Sequence, residues 1–181
     1  MTSRALLEDR RTALLGAVGF AAALTAASQV AIPLPFTPVP ITLQPLVVVL
    51  AGMMLGPVFG AASMLLYLVV GAAGLPVFAP MGAPGMLRLI GPTGGYLLAY
   101  PVAAYLAGVL SLRAGGFAGR ALAAGAGVLV LYVGGLAQLA ILTGSLTSAV
   151  LLGVVPFVAL DAVKALVAAA VTRSPASTGT R

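Results

Sequence analysis

Two charged side chains, Asp161 and Lys164, stand three residues apart in a run from Ala149 to Val171 that is otherwise free of polar side chains. If that run is a helix, both project from one face. Within a bilayer each charge costs at least ~2.5–3.5 kcal/mol at the helix centre, so a pair kept there points into the protein and reads first as a ligand site. The alternative is a mutually neutralised pair that only locks two helices together. A second cation, Arg88, carries a planar fork of donors suited to a carboxylate; contact with lipid headgroups is the competing use. Gly91-Pro-Thr-Gly-Gly-Tyr96 follows it. Its glycines allow close backbone approach to a ligand, and Tyr96 offers an apolar ring with one hydroxyl, or else an ordinary interfacial anchor.

The residues that are missing narrow the chemistry. The chain has no Cys and no His, which removes disulfides, thiolate chemistry, zinc sites and imidazole acid–base catalysis. No metal and no cofactor are therefore expected. Of three carboxylates, Glu8 and Asp9 lie in the N-terminal segment, leaving too little machinery for a membrane-embedded enzyme. No Gly-x-x-x-x-Gly-Lys-Ser/Thr sequence occurs, so the chain has no visible means of using ATP by itself. Active transport would draw its energy from a partner or an ion gradient. The net charge of +6 is spread over arginines between apolar spans, which speaks against nucleic-acid binding.

The elements that must position these residues are membrane spans. Of 181 residues, 61% are hydrophobic and 7% charged, where soluble domains carry about a quarter charged residues. Runs of about 20 apolar residues suffice to cross a hydrocarbon core as helices. The expectation is an all-α membrane protein: one domain over 1–181, a compact bundle of six transmembrane helices at about 12–32, 41–55, 58–74, 96–112, 121–142 and 149–171. A basic start before an apolar run also describes a signal peptide, but the first run is long for that reading. It carries small residues four apart, Ala17 and Ala21, Ala22 and Ala26, Ala23 and Ala27, a spacing that lets another helix approach closely, whether from this chain or from a second protein.

Between the spans, Pro33 to Pro40 holds four prolines in eight residues and is expected as an ordered, non-helical loop. Gly56-Pro57 makes a turn. The stretch Leu75–Tyr96 is rich in Gly and Pro, an irregular backbone tolerated at depth only where it is buried or lines a cavity. With both termini in the cytoplasm, the inner segments hold Arg4, Arg10, Arg11, Arg113, Arg120, Arg173 and Arg181 and the outer loops only Arg88, which fits the positive-inside rule and a multi-pass protein of the cytoplasmic membrane.

Phe36-Thr-Pro-Val-Pro-Ile-Thr-Leu-Gln44, Leu50-Ala-Gly with Leu55-Gly-Pro57, Gly74-Leu-Pro-Val-Phe-Ala79, Gly91-Pro-Thr-Gly-Gly-Tyr-Leu97 and Asp161-x-x-Lys164 resemble, in order and spacing, the BioY family of biotin-specific S components of energy-coupling-factor transporters. The resemblance runs from the first span to the sixth. It implies six membrane helices, high-affinity biotin capture from the outer side, and partnership with a transmembrane coupling protein and two ATPase subunits. It also implies that small residues of the first helix dock the coupling protein, which suits Ala17, Ala21, Ala22 and Ala26; the sequence does not say which row faces outward. No Asn occurs, so any role that relatives give to an Asn is absent or replaced. For biotin, Asp161 would accept the ureido N–H groups, and Lys164 would donate to an oxygen. Arg88 would meet the tail carboxylate or complete the ureido cluster, with the roles of Lys164 and Arg88 exchangeable. Phe36, Phe78 and Tyr96 would line the apolar part and Gln44 add a polar contact, while the Pro33–Pro40 loop closes over the ligand. Competing readings are a proton-coupled secondary carrier using Asp161 and an S component for thiamine or riboflavin.

Overall fold

Helix formation along this chain follows its proline and glycine punctuation. The computed structural model describes residues 3–172, with side chains from residue 10 onward. The side chains of Arg4, Glu8 and Asp9, and the tail residues Arg173 and Arg181, lie outside the described residues. The elements are α1 (Ser3–Gln29), β1 (Ala31–Leu34), β2 (Thr37–Thr42), α2 (Gln44–Ala72), α3 (Leu87–Ile90), α4 (Gly94–Leu112), α5 (Gly116–Thr143), α6 (Leu146–Gly153) and α7 (Val158–Val171). Among the described residues, four helical segments are long and apolar enough to cross a bilayer, or five if the bent pair α6–α7 counts as one. Side chains that water would penalise, such as Leu15, Leu122, Val133 and Ile141, stand exposed on the outer surface of the bundle, as a lipid-facing surface requires.

Helix α1 sorts its small residues onto two faces. Ala17, Ala21, Leu24 and Ser28 recur at helical spacing and are buried against the rest of the chain, whereas Ala22, Ala23 and Ala26 are exposed. The expectation that Ala17 and Ala21 serve docking is thereby corrected: their methyl groups fill this chain's own core.

The segment labelled α2 is not one rod. Gly56 adopts φ 78°, ψ 174°, a conformation open essentially to glycine alone, and Pro57 supplies no N–H to continue the ladder. The Gln44 amide nitrogen reaches the Tyr67 hydroxyl at 2.9 Å, although 23 residues of straight helix would hold their backbones about 34 Å apart. A Cβ added to Gly60 would sit 2.6 Å from the Cα of Gly52. The two halves therefore fold back on each other as a hairpin, as the Gly56-Pro57 turn predicts. Glycines also set the distance between α4 and α5: a Cβ on Gly95 would collide with the carbonyl of Gly134, the close backbone approach that membrane helices use in place of large apolar ridges.

Three stretches differ from expectation. The proline-rich loop forms a two-stranded antiparallel ribbon pairing Ala31 with Thr42, Ile32 with Ile41 and Leu34 with Thr37, and its irregularity falls between Ile32 and Leu34. Pro33, which lacks a ladder donor, occupies that bulge. A single helical turn, α3, interrupts the long outer connection; Gln138 Nε2 of α5 donates to the carbonyls of Leu89 at 3.0 Å and Gly91 at 2.6 Å, closing off its C-terminal end. Finally, 149–171 is not a continuous helix: α6 and α7 meet at 55° across Val154–Phe157, where Pro156 cannot donate to the helical ladder.

Candidate functional site

The break between α6 and α7 places Asp161 in the first turn of a helix. A carboxylate there is favoured by the aligned N–H groups and the positive end of the dipole. Its side chain is buried, and both oxygens are engaged. Lys164 Nζ lies 2.7 Å from Oδ1, and the Tyr132 hydroxyl of α5 donates to Oδ2 at 2.7 Å. Each carboxylate oxygen has two lone pairs and an ammonium has three protons. The cluster thus retains acceptor capacity on both oxygens and donor capacity on the lysine.

This cluster forms one wall of a pocket of about 700 Å³ of atom-free space, the solvent at its mouth included. The β2 ribbon contributes Val39, Pro40 and Thr42; the start of α2, Gln44; the outer connection, Phe78, Ala79 and Arg88; α4, Thr93, Tyr96, Leu97 and Tyr100; and α5, Leu131 beside Tyr132. Gly153 and Phe157, at the two sides of the helix break, complete the wall around Asp161 and Lys164. Six sequence-predicted residues, Asp161, Lys164, Arg88, Tyr96, Gln44 and Phe78, therefore face one cavity. Phe36 does not. It sits exposed at the tip of the ribbon, because the tight turn between β1 and β2 directs Thr37 and Val39 inward instead. This placement corrects its assignment to the lining.

Each polar group is held from behind. The Gln44 amide donates to Tyr67, and its carbonyl oxygen accepts from the Thr42 hydroxyl at 3.3 Å. The Tyr96 ring occupies the space left by Gly135, and its hydroxyl donates to the Gly153 carbonyl at 2.6 Å, fixing the last residue of α6 at the break. The two amino groups of Arg88 donate to the carbonyls of Ala79 and Met81. Its Nε is buried without a partner, and desolvation lowers its pKa from the usual arginine value.

Taken together, Asp161 and Lys164 neutralise one another, and Arg88 leaves the pocket with one uncompensated positive charge. A monoanion with a hydrogen-bonding head and an apolar body fits that balance. A cation does not. Among the described residues no group of three or more His, Cys, Asp or Glu could hold a metal ion. Tyr132, Tyr100, Thr93 and Phe157 escaped the sequence reading. Tyr132, with Gln138 one of two hydrogen-bonding side chains deep within an otherwise apolar span, left a signal that packing explains equally well.

The model of the BioY family matches residues 2–179. The chain belongs to the BioY family. The biotin transporter BioY of Thermotoga maritima is 36% identical over 138 residues, 76% of this chain and 81% of that protein. The probable biotin transporter BioY of Pyrococcus horikoshii is 40% identical over 72 residues, a match that spans 40% of this chain and 44% of the relative. In three dimensions the chain resembles the crystal structure of the S-component for biotin from an ECF-type ABC transporter, with a TM-score of 0.81 at 25% identity over 95% of this chain and 92% of that one. A family match over nearly the whole chain covers every element that contributes to the pocket.

Proposed function

We propose that this chain captures biotin and carries it across the cytoplasmic membrane as the substrate-binding component of an energy-coupling-factor transporter. The observation that carries the reading is the hydrogen-bonded Asp161–Lys164–Tyr132 cluster at one end of a mostly apolar pocket whose other cation is Arg88. Biotin's ureido ring presents two N–H donors and one carbonyl acceptor, its thioether ring is apolar, and its valerate tail ends in a carboxylate. The free acceptor sites of Asp161 match the ureido N–H groups and a lysine proton matches an oxygen. Arg88, the unbalanced charge, answers the carboxylate. Phe78, Tyr96 and Leu97 enclose the thioether ring. Transport then consists of capture and reorientation; no covalent bond in the ligand changes.

Counting the two arms of the α2 hairpin separately, and α6–α7 as one broken span, gives a six-helix bundle. With both termini in the cytoplasm, the ribbon and the Leu75–Tyr96 connection lie on the outer side, where they cover the pocket. Energy supply then falls to a coupling protein and two ATPase subunits, a division of labour that the lack of a Gly-x-x-x-x-Gly-Lys-Ser/Thr sequence supports. The outward face of α1 with Ala22 and Ala26 offers that coupling protein a surface a helix can approach closely. Calorimetric titration of the purified chain with biotin, desthiobiotin and lipoate tests the reading. Biotin is expected to bind most tightly and lipoate, which lacks the ureido ring, to bind negligibly. Equal affinity for biotin and lipoate, or no binding of biotin, overturns it.

A further inference from the structure

Between α2 and α3 the backbone is irregular, so its carbonyl groups have no helical or strand ladder to satisfy them. Those of Val77, Phe78, Ala79 and Met81 are all taken by side chains. Two come from Arg88, which lines the pocket. The other two come from the end of α1, where Ser28 Oγ shares its one proton between the Val77 carbonyl at 2.6 Å and the Thr25 carbonyl at 2.7 Å, and Gln29 Nε2 donates to Phe78 at 3.1 Å. Neither Ser28 nor Gln29 lines the pocket, yet the residues they hold do: Phe78 and Ala79 form part of its wall. The Phe78 ring stands edge-on to Tyr67 with centroids 5.3 Å apart, and Tyr67 in turn receives the Gln44 amide.

We infer that Ser28 and Gln29 are positioning residues that hold the Val77–Ala79 segment as a cover over the binding pocket. The inference rests on the proposed biotin reading and adds to it a means by which α1 governs how long ligand stays. Ser28 continues the buried face formed by Ala17, Ala21 and Leu24, whereas Gln29 continues the exposed row of Ala22 and Ala26. Both faces of α1 thus terminate on the cover.

Loss of either donor leaves a carbonyl unpaired only while the cover is closed, so the closed state alone is destabilised. Rapid-chase measurement of biotin dissociation from the purified chain is expected to show about tenfold faster release for Ser28→Ala, the size of one lost hydrogen bond to a buried carbonyl. Gln29→Leu, at an exposed position where folding is not at stake, should show a smaller acceleration in the same direction, and Gln29→Glu, which lacks the donor, should match it. Association rates should stay within twofold of wild type. Ser111→Ala serves as the comparison: it deletes a buried hydroxyl bound to the Gly108 carbonyl at the far end of α4 and should lower the melting temperature without changing release. Unchanged release in both Ser28→Ala and Gln29→Leu overturns the inference, as does acceleration that merely parallels the stability loss of Ser111→Ala. Failure of the wild-type chain to bind biotin would instead overturn the function proposed above.

Discussion

Asp161 receives its hydrogen bonds from two helices, Lys164 on α7 and Tyr132 on α5, so its carboxylate is aimed before any ligand arrives. In the proposed complex each hydrogen bond between ligand and a charged group is worth ~1.5–3 kcal/mol, and breaking the buried pair also leaves its survivor uncompensated. Asp161→Asn and Lys164→Ala should each weaken biotin binding by more than about a hundredfold in titration calorimetry, while the detergent-solubilised protein stays folded by circular dichroism. Full-strength binding in either would sink the assignment. Tyr132→Phe deletes a single hydrogen bond to the charged oxygen and leaves the ion pair in place; a weakening of about tenfold is expected in the same measurement. Asp161 and Lys164 were legible in the sequence because a charge in lipid is too costly to be idle, and Arg88 because it alone of the arginines falls in the expected outer loops. Tyr132 was not, since a tyrosine within an apolar run reads equally as packing, and its partner lies 29 residues away. Phe36 misled for the opposite reason: an aromatic beside prolines suggests a lining residue, but the ribbon's turn geometry decides which way it faces.

Local chain breaks place the site as much as the helices do. At Gly56 the sequence announced the break, because Gly-Pro stops a helix outright, and the hairpin sets Gln44 opposite Tyr67. Replacing that glycine by alanine would force a side chain into φ 78°, at a cost of ~1–3 kcal/mol. The variant should melt several degrees lower in a thermal shift assay, with biotin affinity little changed because the turn lies away from the pocket lining. The second break was hidden, since Pro156 is embedded in a run so apolar that the average hydropathy of 149–171 reads as one span. Its consequence is functional. The break frees helix N–H groups ahead of Asp161 and lets Tyr96 bind the Gly153 carbonyl. Pro156→Ala restores the missing donor and favours a straighter α6–α7. It should therefore weaken biotin binding while leaving the melting temperature equal or higher, an opposition of effects that simple destabilisation cannot produce.

For the molecule as a whole, α1 turns one face into this chain's core and the other outward, and the outward face is the docking surface proposed above. An α-helix with alanines at 17, 21, 22, 23, 26 and 27 offers no sequence clue to which row is outward, because both rows permit close approach; burial divides them, with Ala21 in the core and Ala26 exposed. A bulky residue must therefore have opposite consequences at the two positions. Ala21→Trp pushes an indole into packed core, where overfilling costs ~1–3 kcal/mol or more, and should reduce both the yield of folded protein and biotin binding. Ala26→Trp meets only lipid when the chain is alone, so binding in detergent should match wild type. In proteoliposomes containing the coupling protein and ATPases, the same indole stands where another helix must come within backbone distance, and ATP-dependent biotin uptake should fall to background. Wild-type uptake by Ala26→Trp would mean that the module engages some other face of the bundle. If binding were lost in detergent as well, the outward row would belong to this chain's own fold, and the division of α1 into a core face and a docking face would fail.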